Sequence, residues 1–117
     1  MKLTIKKGID VDINNIAYNI YLPPSEMFEI IKLRQELNIL QTELDNLIAK
    51  ELNDGKEVSD TDFKRFTKET TKIYEKILKY LFNDKVDEIT PLIYNGKELD
   101  YGLANQIILP ILDELQK

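Results

Sequence analysis

The chain has 117 residues, with 16 Lys and Arg against 21 Asp and Glu for a formal net charge of −5, and it contains no His, Cys or Trp. That length suits one domain and is too short for two independent cores. Without Cys there is no disulfide framework, thiol nucleophile or Cys-based zinc site, and without His the imidazole base, triad and metal-ligand chemistries are closed. An enzyme of this composition would have to work through carboxylates, Lys, Tyr or a hydroxyl alone. Ile and Leu contribute 16 residues each, enough for a core without aromatic bulk. The acidic balance keeps a small domain soluble and argues against general nucleic-acid binding. The opening Met1-Lys2-Leu3-Thr4-Ile5 lacks the apolar region of a signal peptide, and no apolar run approaches the roughly 20 residues that span a bilayer. The expectation is a soluble, cytoplasmic protein.

Residues 1–22 alternate with period two. Leu3, Ile5, Ile9, Val11 and Ile13 share one strand face, interrupted by Lys7, and Ile16, Tyr18, Ile20 and Leu22 alternate again after Asn14-Asn15. A two-residue turn at the Asn pair sets Ile13 opposite Ile16, Val11 opposite Tyr18 and Ile9 opposite Ile20, all on one side. Asn tolerates positive φ, so the pair can make the tight turn this register needs. The reading is a β-hairpin whose first strand starts near Leu3, with Gly8 as a candidate bulge.

Pro23-Pro24 ends the hairpin, and Ser25 is the candidate N-cap of a helix over residues 25–54. Ile30, Leu33, Leu37, Leu40, Leu44 and Leu47 follow at a and d spacing, with Ile31, Ile48 and Leu52 widening the stripe. Asn53-Asp54-Gly55 is the stop signal. A second helix over 59–82 starts at Ser59 or Asp60 and carries Phe63, Phe66, Thr70, Ile73, Ile77 and Tyr80 at the same spacing. The short connection predicts an antiparallel helical hairpin in which facing positions sum to about 113. Glu36 then lies near Lys76, and Glu43 lies near Glu69.

Residues 84–116 predict short helices. Asn83 or Asp84 is the candidate cap of the first, Pro91 breaks it or starts another turn, and Asn95-Gly96 marks a turn. A last helix from about Asp100 to Leu115 contains Pro110, which predicts a kink or a cut. The fold class is α+β and mainly α: an N-terminal β-hairpin packed on a long antiparallel helical hairpin, plus a short C-terminal helical region. With no repeat, low-complexity tract or linker, the reading is a single domain over 1–117.

Two surfaces are candidates for partner binding. Lys64, Lys68, Lys72 and Lys76 recur at i, i+4 on the second helix, which is net +2 between acidic flanks. They could dock an acidic partner or a phosphate backbone, against the plainer reading of a solvated face. The second candidate surface is apolar, with Tyr94, Tyr101, Ile107, Ile108 and Ile111 at its centre; it serves either another protein or the core. Asp10 and Asp12 share a strand face and could hold a cation weakly, but solubilising carboxylates are the plainer reading and no calcium-loop spacing is present. No phosphate-binding, dinucleotide or nucleophile-elbow motif occurs, and no catalytic, cofactor-binding or metal-ligating residue is assigned.

The order of elements resembles tail assembly chaperones of long-tailed phages of low-GC bacteria. The segment Tyr80-Leu81-Phe82-Asn83-Asp84-Lys85-Val86-Asp87-Glu88-Ile89 looks like their passage from a helix through a polar turn. The end from Ala104 to Leu115 is similar to their closing amphipathic helix. With 14 Lys to 2 Arg and abundant Ile and Asn, the composition suits an AT-rich genome. The resemblance implies a non-enzymatic protein, without cofactor, that coats the tape measure protein, recruits tail tube subunits and is absent from the finished particle. Such families often make a longer product by frameshifting. Two other readings stand beside it: a structural coiled-coil or oligomerisation protein of phage or host, and a small nucleic-acid-binding regulator using the basic helix.

Overall fold

The computed structural model describes residues 1–4, 7–55 and 59–116. Strands β1 (Ile9–Ile13) and β2 (Ile16–Ile20) lead into the long helices α1 (Pro24–Asn53) and α2 (Asp60–Phe82). A 3₁₀ turn (Asn83–Lys85), helix α3 (Val86–Ile93), the short strands β3 (Tyr94–Asn95) and β4 (Glu98–Leu99), and helix α4 (Tyr101–Leu115) complete the chain. The fold is α+β and mainly α, as the periodicities predict. Contacts gather in two compact units: residues 1–27 with 78–117, and residues 28–77.

In the first unit, β1 and β2 pair antiparallel with Ile9 opposite Ile20, Val11 opposite Tyr18 and Ile13 opposite Ile16. Asn14 and Asn15 take φ of 52° and 67°, the left-handed pair that a two-residue turn matched to strand twist requires. Asp12 Oδ1 accepts a 2.9 Å bond from the Asn15 amide and Asp10 Oδ1 a 3.1 Å bond from Asn19 Nδ2. These two carboxylates therefore organise the hairpin.

The first strand is shorter than its alternation suggests. It begins at Ile9, and Leu3 is 75 % exposed, so it does not share the buried face; Ile5 lies outside the described residues. The cause is Gly8, whose φ of +79° bends the chain out of the extended region. The hairpin lays its apolar face on its own unit. Tyr18 meets Phe82 of α2 edge to face, with centroids 5.5 Å apart and planes at 83°, and β1 lies against α4. The core is completed by Ile20, Leu22, Leu81, Ile89, Ile93 and Leu112, all buried.

Several helix ends differ from the sequence reading. Helix α1 starts at Pro24, so Ser25 sits inside its first turn and is not the N-cap. Proline suits that first position because its missing N–H has no helical partner to lose, and the Pro23 carbonyl accepts the first bond, from Met27 N at 3.0 Å. Asn83 does not cap α3. It takes φ of 51° at the end of α2, where a left-handed residue turns the chain out of a helix and Asn is among the few that fit. Pro91 lies inside α3 and Pro110 inside α4. Neither cuts its helix, and α4 runs unbroken for 15 residues from its cap, Asp100, whose Oδ1 accepts from Leu103 N at 3.1 Å. Asn95-Gly96 makes the predicted turn, with Gly96 at φ +69° between β3 and β4.

The second unit is the helical hairpin. Ser59 caps α2: its Oγ accepts from Asp62 N at 3.2 Å and donates to Asp62 Oδ2 at 2.9 Å. Ser59→Ala is expected to cost about 1 kcal/mol, the usual worth of an N-cap. It would be read as a lower urea midpoint at unchanged slope, and an unchanged midpoint would show the cap to be idle. Gly55, at φ +72°, follows the last turn of α1 as the stop signal predicts.

Candidate protein-binding surface

Helix α1 carries Leu or Ile at 37, 40, 44, 47, 48 and 52, yet its buried residues are Ile30 and Leu33. Leu37, Leu40, Leu44, Leu47 and Ile48 are half-buried, and Leu52 is 68 % exposed. On α2 within the same unit, Phe66, Ile73, Tyr74 and Ile77 are buried, while Phe63 is 57 % exposed. Two helices facing one another cover one flank of each apolar stripe. A stripe this wide needs a further layer to be fully covered.

The gap is visible as a cleft of about 330 Å³ between the two helices. Its apolar wall is Ile39 and Leu40 from α1 with Ile73 from α2; Glu36, Glu69, Lys72 and Lys76 stand at its rim. Leu40 and Ile73 line this cleft together, as do Glu36 and Lys76, in keeping with the spacing predicted for the antiparallel pair. Among the described residues none of the four rim charges forms an ion pair. Ile39, 58 % exposed, was missed by the sequence reading because it lies off the a and d stripe. The available signal was a large aliphatic residue beside Asn38 on an otherwise polar flank.

The candidate residues divide between the units. Lys64, Lys68, Lys72 and Lys76 are all exposed. Lys72 and Lys76 share their surroundings with Glu36 and Glu69, so the basic stripe does not stand as a single-sign patch. In the first unit, Ile108 and Ile111 are 2 % and 3 % exposed, which assigns them to the core in place of a partner surface. Ile107, Tyr94 and Tyr101 are half-buried, and both tyrosines are engaged by neighbouring groups. The large aliphatic residues that α4 does expose are Leu103 and Leu109. Burial pushes the Tyr18 phenol above its ordinary pKa, and the Glu88 carboxylate acts in the same direction; a group so held stays neutral and serves packing.

Among the described residues no cluster of three or more His, Cys, Asp or Glu side chains is placed to hold a metal ion, and no helix is long and apolar enough to cross a membrane. No family model matches the chain, and comparison with curated proteins and with solved structures gives no match. The geometry of the helical hairpin is therefore the ground for a functional reading.

Proposed function

We propose that this chain is a non-enzymatic binding protein that holds apolar helical segments of another polypeptide along its helical hairpin. The observation that carries the reading is the partly covered stripe of α1 from Leu37 to Leu52, opening at the cleft of Ile39, Leu40 and Ile73. An amphipathic helix laid along this face would bury its own apolar residues against the stripe, with the charged rim fixing its register. The role that fits, given the resemblance of residues 80–89 and 104–115, is that of a tail assembly chaperone. It would keep a tape measure protein soluble in the host cytoplasm and recruit tail tube subunits. Apolar stripes on a chain of net charge −5 suit a holder, because bound apolar helices are covered while like charge discourages further aggregation.

Co-expression of the full chain with a tape measure protein of a long-tailed phage tests the reading. A soluble complex is expected with the natural chain, and Ile39→Asp is expected to reduce its yield several-fold while leaving the free protein folded. Failure of the two proteins to co-purify would remove the chaperone reading, and equal capture by Ile39→Asp would remove the cleft as its site.

A further inference from the structure

We infer that the cleft face of the helical hairpin also receives a second copy of this chain, pairing two hairpins as a two-fold four-helix bundle. The inference rests on the reading of that face as a contact surface, and it names one occupant. Three features of the second unit lead to it.

The first is the shape of what is missing. Two antiparallel helices with half-covered Leu and Ile residues form half of a four-helix bundle, and a second such pair supplies the other half. The second is area. From Ile30 to Asn53, α1 is roughly 36 Å long at 1.5 Å per residue, and two helices side by side are about 20 Å wide. Face-to-face pairing would then cover roughly 700 Å² on each copy, or ~1,400 Å² in all, within the range of stable interfaces.

The third is charge. A two-fold axis parallel to the helices sets α1 of one copy against α2 of the other, running antiparallel, with each residue kept at its own height along the axis. Glu36 of α1 and Lys76 of α2 line the same cleft, so the pairing of the two helices sets them at about the same height. The rotation brings Glu36 of each copy opposite Lys76 of the other, so the attraction is made twice. Among the described residues neither group has an ion partner. Leu40 likewise comes level with Ile73 across the interface. One step further along, Glu43 and Glu69 oppose each other, and that repulsion keeps the association reversible. A reversible dimer would cover the stripe in the free protein and yield it when a partner helix arrives.

Sedimentation equilibrium of the full-length chain, at low salt and over rising concentration, tests this directly. The natural chain is expected to pass from monomer to dimer. Glu36→Lys places Lys opposite Lys, Lys76→Glu places Glu opposite Glu, and each is expected to weaken dimerisation about tenfold or more. Because every copy of one variant then carries Lys at both 36 and 76 and every copy of the other Glu at both, a 1:1 mixture is expected to recover a heterodimer. The double variant Glu36→Lys, Lys76→Glu is expected to recover the homodimer. Both positions are exposed, and circular dichroism checks that each variant remains folded. A natural chain that stays monomeric, a mass other than dimer, dimerisation indifferent to both substitutions, or a mixture that does not recover would each overturn the inference. A monomeric chain that still captures a tape measure protein would overturn the dimer and leave the proposed function standing. A dimer that captures nothing would do the reverse.

Discussion

Ile108→Ala and Ile111→Ala are each expected to lower folding stability by about 3 kcal/mol, whereas Ile39→Ala is expected to change it by no more than about 0.5 kcal/mol. All three are aliphatic residues on helices, and periodicity gives little ground for ranking them. Their surroundings do rank them. Ile108 and Ile111 lie on the buried side of α4 with Ala104 and Leu112, at 3 % exposure or less. Removing three carbons there forfeits the transfer energy of the buried methyl groups and leaves a cavity that the neighbours only partly refill. Ile39 is 58 % exposed at the cleft, so truncation returns little apolar surface to water. A loss of 3 kcal/mol is a large share of the 5–15 kcal/mol that typical domains possess. Urea unfolding followed by circular dichroism measures all three. If Ile108→Ala and Ile39→Ala proved equal in cost, the division between core and contact surface would be wrong.

Gly8→Ala carries the second large effect, an expected loss of roughly 2–3 kcal/mol, with two causes that act together. The backbone at Gly8 sits at φ +79°, where an L side chain is strained. A Cβ there would also collide with the Ile20 carbonyl and come within 2.9 Å of Tyr21 Cβ. The carbonyl is backbone at the end of β2, so it can move only by shifting the strand. Ile20 is 1 % exposed, and moving it disturbs the core beneath. Gly96→Ala is the control: its φ of +69° imposes a similar strain, but nothing lies within 4 Å of the added Cβ. It is expected to cost about 1 kcal/mol. A thermal-unfolding comparison separates the two, and equal costs would show that the collision at Gly8 relaxes freely.

Much of the fold is legible in the residues because local rules and tertiary packing agree. The hairpin register follows from the alternation on both sides of Asn14-Asn15, and both Asn residues take the left-handed conformation the turn needs. The starts of α2 and α4 follow from the capping chemistry of Ser59 and Asp100. The misreadings arise where several residues satisfy the same local rule. Ser25 and Pro24 both suit a helix start, and proline's preset φ decides it. Asn83 suits a helix beginning and also a left-handed helix end, and the end of α2 claims it. Leu3 continues the period-two pattern, but alternation cannot register that Gly8 turns the backbone.

The candidate surface was less legible for a related reason. In Ile107-Ile108-Leu109-Pro110-Ile111-Leu112 apolar residues occupy both sides of α4, so periodicity does not say which are covered. Ile108, Ile111 and Leu112 are buried, and Leu109 is 42 % exposed. The basic stripe of α2 was visible in the sequence, while its acidic neighbours Glu36 and Glu69 come into view only when α1 and α2 are paired. Ile39 shows the limit most clearly. A residue that breaks a polar flank is an ordinary exception in a sequence, and it acquires meaning from the cleft it lines.

The central claim is that the helical hairpin is incomplete by itself and is completed by what it binds. Amide hydrogen exchange, resolved along the chain in dilute free protein, tests this most directly. The backbone of α1 from Leu37 to Asn53 is expected to exchange at least tenfold faster than that of α4 around Ala104, Ile108 and Leu112, and to gain protection when an occupant is present. Equal protection of the two helices in the dilute free chain would contradict the claim.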